Sequence, residues 1–100
     1  MTSFLLLLAL LAGPVAEVTA YNDHAKPMAS MRMPYVGACA GPRSVPLGTM
    51  VRIGGKVYTV EDRLNRRFPK RWDIWMPTAK EAKAWGKRKL NVEIIRWRSR

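Results

Sequence analysis

Covalent staples are almost missing from this sequence. One cysteine, Cys39, and one histidine, His24, occur in 100 residues. A single thiol forms no internal disulfide, and one Cys with one His supplies no ligand set at structural-zinc spacing. No metal or other cofactor is expected. Acidic residues are scarce as well: seven Asp or Glu stand against 18 Lys or Arg, for a formal net charge of +11. Charge alone therefore points to an anionic partner. No recognised nucleic-acid motif accompanies that charge, so nucleic acid is not the expected one. The longest apolar run, residues 4–12, falls well short of the about 20 residues that cross a bilayer as a helix, and the mature chain is expected to carry no transmembrane segment. Repeats and low-complexity stretches are absent.

With 48% apolar and 9% aromatic residues, four of them Trp, the chain can bury one small core. One monomeric domain is expected. The apolar run at residues 4–12, followed by Gly13-Pro14-Val15-Ala16, reads as a secretory signal peptide, with a cut after Ala16 or Ala20. Its charged leader is only the terminal amine, since no Lys or Arg precedes Lys26. The expected organisation is residues 1–16 as signal peptide and 17–100 as the domain, secreted or periplasmic and associated with the cell envelope. No Cys follows the run at a lipid-attachment position.

Residues 17–21 alternate as a short strand. Residues 22–48 carry Pro27, Pro34, Pro42, Pro46, Gly37, Gly41 and Gly48, so a long ordered loop is expected, with short strand pieces near Val36 and Val45. Residues 49–53 and 56–60 flank Gly54-Gly55 as a tight hairpin. A basic loop at 63–70 leads into residues 71–76. There, alternation puts Trp72, Ile74 and Met76 on one face and Arg71, Asp73 and Trp75 on the other. Thr78 and Glu81 have capping-box spacing, so a short helix is expected to Trp85, ended by Gly86 in the left-handed conformation. A last strand covers residues 90–97, before the exposed Arg98-Ser99-Arg100. Five or six short strands and one helix predict an all-β fold closed into a small barrel, which leaves no open edge.

Val18-Thr19-Ala20-Tyr21, Val45-Pro46-Leu47-Gly48-Thr49, Val60-Glu61-Asp62, Trp72-Asp73-Ile74 and Glu81-Ala82 followed by Trp85-Gly86-Lys87-Arg88 form an ordered set. The set resembles the three-aspartate (3D) domain, a six-stranded double-psi β-barrel of bacterial and phage cell-wall proteins. That barrel is related to those of membrane-bound lytic transglycosylase A and rare lipoprotein A. Two of the three aspartates are kept. Gly41 stands where the family usually has the first, and Arg63-Leu64-Asn65-Arg66-Arg67-Phe68-Pro69 replaces a Gly-rich stretch.

The resemblance implies a peptidoglycan-active protein, a lytic transglycosylase cleaving between muramic acid and glucosamine. Because the sugar's own 6-hydroxyl attacks, one carboxyl suffices where ordinary glycoside hydrolysis uses two. Asp73 would be that acid and base, and Asp62 would orient it or the sugar. Trp75, Arg63, Arg71 and His24 complete the expected substrate-binding set, with anionic wall polymers as further partners. The alternative is a silent barrel that binds wall polysaccharide.

Bland readings stand beside these. A strand aspartate in a basic protein commonly forms ion pairs, and neighbouring cations lower a carboxyl pKa, opposite to what a general acid needs. His24 reads equally as a surface loop residue and Cys39 as a small buried one. Met28, Met31 and Met33 read as loop packing, and Trp72 and Trp85 as core.

Overall fold

The structure, a computed structural model, describes residues 13–97. The apolar run at residues 4–12 and the expected exposed end at 98–100 lie outside the described residues. Among the described residues six strands and one helix follow in order: β1 (Val15–Tyr21), β2 (Ala38–Gly41), β3 (Met50–Ile53), β4 (Lys56–Arg63), β5 (Trp72–Trp75), α1 (Ala79–Trp85) and β6 (Arg88–Arg96). The strands close into a mixed barrel in the order β1-β5-β2-β4-β3-β6. β1 runs parallel to β5 and β2 parallel to β4, while the other neighbours are antiparallel.

Alternation sorts the side chains. Val18, Cys39, Val51, Ile53, Val60, Trp72, Ile74 and Val92 fill the barrel, with Val45 and Tyr58 closing it and Trp85 packed against it. Burying each large apolar side chain contributes about 1.5–3 kcal/mol, the main favourable term in so small a fold. The Trp85 indole Nε1–H also donates to the Val18 carbonyl at 3.2 Å, tying α1 to β1. Outside the barrel wall a second cluster joins Met28, Ala38 and Trp75, flanked by Tyr21 and Tyr35. Residues 22–37 thus fold over one side of the sheet, and that covered side holds the aspartates.

Several expected boundaries shift. β1 begins at Val15, and its first residues pair with β6 through Val15–Asn91 and Ala16–Leu90. Cuts after Ala16 and after Ala20 would both fall inside this strand. The expected strand pieces near Val36 and Val45 do not form; Val36 is exposed and Val45 is a buried loop residue. The strand of that region is instead β2, Ala38–Gly41, buried at every residue. The Gly54-Gly55 hairpin stands as expected, with φ of +56° and +90°, values that glycine adopts without a Cβ clash. β4 runs on past Val60 through Asp62 and Arg63, so Arg63 belongs to the strand and not to the basic loop.

Thr78 caps α1, its Oγ1 accepting from the Glu81 backbone N–H at 3.1 Å and donating to Glu81 Oε2 at 2.9 Å. Gly86 ends the helix at φ +66°, but its ψ of −131° lies outside the left-handed helical region that the sequence suggested. Of the three loop methionines only Met28 packs; Met31 and Met33 are exposed.

Candidate functional site

Register places the two aspartates in one row. Ala40 on β2 pairs with Asp62 on β4 and with Asp73 on β5, and Asp73 pairs with Thr19 on β1. Asp62, Ala40, Asp73 and Thr19 therefore stand side by side on four adjacent strands. Two strand spacings separate the aspartate backbones, about 10 Å. A bulge makes this alignment: Cys39 pairs with Val60 and Ala40 with Asp62, so Glu61 is the extra residue of β4. Without it, Asp62 would miss the row. Ala40, itself buried, places only a methyl between the two aspartate positions.

The two carboxyls have different surroundings. Asp62 is tied down by three donors: the Tyr21 hydroxyl at 3.3 Å, the Ala29 backbone N–H at 3.0 Å and the Arg63 backbone N–H at 2.9 Å. Asp73 accepts from the Thr19 hydroxyl at 2.9 Å. Burial pushes the Asp73 carboxyl above the ordinary carboxylate range and the negative charge of Asp62 adds to the rise, while the Thr19 hydrogen bond and the Arg71 charge pull it back. Burial, then the charge of Asp62, raise the Tyr21 phenol well above its usual value, so it remains a donor. Cys39, inside the barrel behind this row, is likewise raised by burial and stays a neutral thiol. Cys39 is a small, wholly buried residue.

Thr19 and Tyr21 are the members of this site that sequence reasoning passed over. Their signal was present in the alternation of β1, which sets Thr19 and Tyr21 on one side, but only the parallel pairing with β5 turns that side into the aspartate face.

The other expected residues divide. Trp75 shares the face of Asp73, two residues on, yet only 6% of it is exposed and its Nε1–H donates to the Asp23 carbonyl at 2.9 Å. It is the packed floor beneath residues 22–28 and not an open sugar platform, because Met28 and Tyr21 enclose its ring. His24 stands against it edge to face, ring centres 5.1 Å apart, with Nε2 at 2.9 Å from the Pro77 carbonyl and 3.0 Å from the Asn22 amide nitrogen. It is an exposed loop residue held at the rim. Arg63 donates from its guanidinium to the Arg43 carbonyl at 3.1 Å. Arg71 is ion-paired to Glu17 and stacked on Phe68 at 4.0 Å, and it is the cation that acts on Asp73.

Gly41 faces Trp72. A Cβ there would lie 2.9 Å from Cζ3 and 3.3 Å from Cε3 of that buried indole. No side chain fits while Trp72 fills the space. Glu61, a buried carboxylate not among the expected site residues, accepts from the Tyr35 hydroxyl and lies 3.6 Å from Arg32. Among the described residues no group of three or more His, Cys, Asp or Glu is placed to hold a metal, and no helix is long and apolar enough to cross a membrane.

Comparison with protein-family models gives no match, and a search of the curated proteins finds no similar sequence.

Proposed function

We propose that this protein is an exported double-psi barrel of the three-aspartate kind that acts on peptidoglycan as a lytic transglycosylase. Asp73 is its single acid and base. The observation that carries this reading is the Asp73 carboxyl itself: half-buried, raised by desolvation, one hydrogen bond from Thr19, and in register with a second carboxylate across the small side chain of Ala40. A raised carboxyl pKa keeps a proton available nearer neutral pH, which is what a general acid requires.

The step balances without water. Asp73 donates its proton to the glycosidic oxygen, the bond from the muramic anomeric carbon to that oxygen breaks, and glucosamine leaves with a free hydroxyl. The muramic 6-hydroxyl bonds to the same carbon and gives its proton to the Asp73 carboxylate. The acid is restored and the product ends in a 1,6-anhydro ring. Asp62, held by Tyr21 and two backbone donors, would be the fixed negative charge that favours the positive character developing at the anomeric carbon.

One observation favours the non-catalytic alternative of a wall-binding barrel. Trp72 fills the room at Gly41, so the third carboxylate of the resembling family has no place here. Digestion of purified peptidoglycan separates the two readings: soluble fragments with anhydromuramic ends support turnover, whereas binding without release leaves the binding module.

A further inference from the structure

The same strand pair that carries Thr19 and Asp73 borders a cavity of about 980 Å³ at its other end. Glu17 and Arg71 stand two residues before Thr19 and Asp73, so the cavity begins roughly 7 Å along the strands from the aspartate row. Pro14, Ala16, Pro42, Phe68, Trp72 and Ile94 make its lining mainly apolar. Its charges do not cancel. Of its two carboxylates, Glu17 is taken by Arg71 and Glu93 by Arg52, which leaves Arg67 and Lys70 at the lining with no carboxylate partner among the described residues. Arg71 also keeps a buried Nε–H with no acceptor among the described residues.

We propose that this cavity seats an acidic peptide of small apolar side chains attached to the glycan, the chemistry of the peptide that branches from muramic acid. This inference rests on the glycan reading above. Three features select that class of occupant. A bare sugar chain would leave the apolar lining uncovered. A hydrocarbon chain would leave Arg67, Lys70 and the Arg71 Nε–H unmatched. A peptide with methyl side chains and carboxylates supplies both surfaces, and the volume, at the upper end of the usual 300–1,000 Å³ for ligand cavities, admits several residues. The cavity also lies beside the aspartate row, so a peptide held there would fix which sugar reaches Asp73.

Calorimetry on the full chain carrying Asp73→Asn, which removes turnover, tests this with three probes: glycan oligomers bearing their tetrapeptides, the same oligomers stripped of peptide by an amidase, and the free tetrapeptide. The intact oligomer should bind at least about tenfold more tightly than the stripped one. Arg67→Glu with Lys70→Glu, both on exposed loop positions, should erase that advantage and leave stripped-glycan binding unchanged. Equal affinity for intact and stripped glycan would overturn the inference and leave the glycan reading standing. Binding of the free tetrapeptide with neither oligomer bound would instead overturn the glycan reading and keep the cavity's ligand class, while no binding of any probe would overturn both.

Discussion

Thr19 and Asp73 face each other across the parallel β1–β5 pair, and the threonine hydroxyl donates to the aspartate at 2.9 Å. This bond stabilises the charged carboxylate and is one of the two influences that hold the Asp73 pKa down. Thr19→Val keeps the branched shape and removes the donor, so the Asp73 pKa should rise further. Carboxyl-carbon NMR titration would register an upward shift relative to the unmutated chain. Glycan cleavage, if it uses protonated Asp73, should then persist to higher pH.

Asp73 also makes stability depend on pH. Its folded pKa lies above the unfolded value of about 3.9, so its contribution is fully present below that value and is lost as pH rises through the raised folded pKa. At neutral pH the buried charge is a liability. Asp73→Asn can still accept from Thr19 and carries no charge, so it should melt higher than the unmutated protein at pH 7. The gain should vanish below the unfolded carboxyl pKa, as thermal denaturation at several pH values would show.

Gly41 and Trp72 share one volume. Gly41→Ala forces a methyl against a buried, rigid indole and should cost about 1–3 kcal/mol in denaturant unfolding, the usual range for overpacking. Pairing it with Trp72→Leu should recover part of that cost. A double-mutant cycle would then give a coupling of roughly 0.5 kcal/mol or more, and simple additivity would show that the two positions do not compete for space.

The start of the barrel is set by pairing. Val15 and Ala16 pair with β6, Asn91 Nδ2 donates to the Gly13 carbonyl at 2.9 Å, and Val18 is wholly buried. A chain beginning at Gly13 should fold, whereas one beginning at Tyr21 lacks nearly all of β1 and should give the narrow amide NMR dispersion of an unfolded protein.

Local pattern carried much of this fold. The Gly54-Gly55 hairpin, the Thr78–Glu81 cap and the alternation that sets Asp73 and Trp75 opposite Trp72 and Ile74 each depend on neighbours in sequence, and each stands in the structure. β2 was illegible for a physical reason. Ala38-Cys39-Ala40-Gly41 lies between prolines and has only small side chains, because Trp75 packs against one of its faces and Trp72 against the other. A strand buried on both sides by its neighbours' bulk shows no alternation of its own. The site was half legible. Asp62 and Asp73 stand out in the sequence through the resemblance alone, but their common row depends on a bulge at Glu61, and the partners Thr19 and Tyr21 depend on a parallel pairing between strands more than 50 residues apart. Trp75 failed as a platform because alternation gives its face but not the loop that covers it.

Mass analysis of the soluble products of purified peptidoglycan, compared between the unmutated protein and Asp73→Asn across a range of pH, tests whether Asp73 is the acid and base of glycan cleavage. The unmutated protein should release fragments ending in 1,6-anhydromuramic acid, fastest where Asp73 is protonated, and Asp73→Asn should lose roughly 10²- to 10⁴-fold in rate while still sedimenting with the wall. Undiminished release by Asp73→Asn, or no release by the unmutated protein at any pH, would contradict the claim.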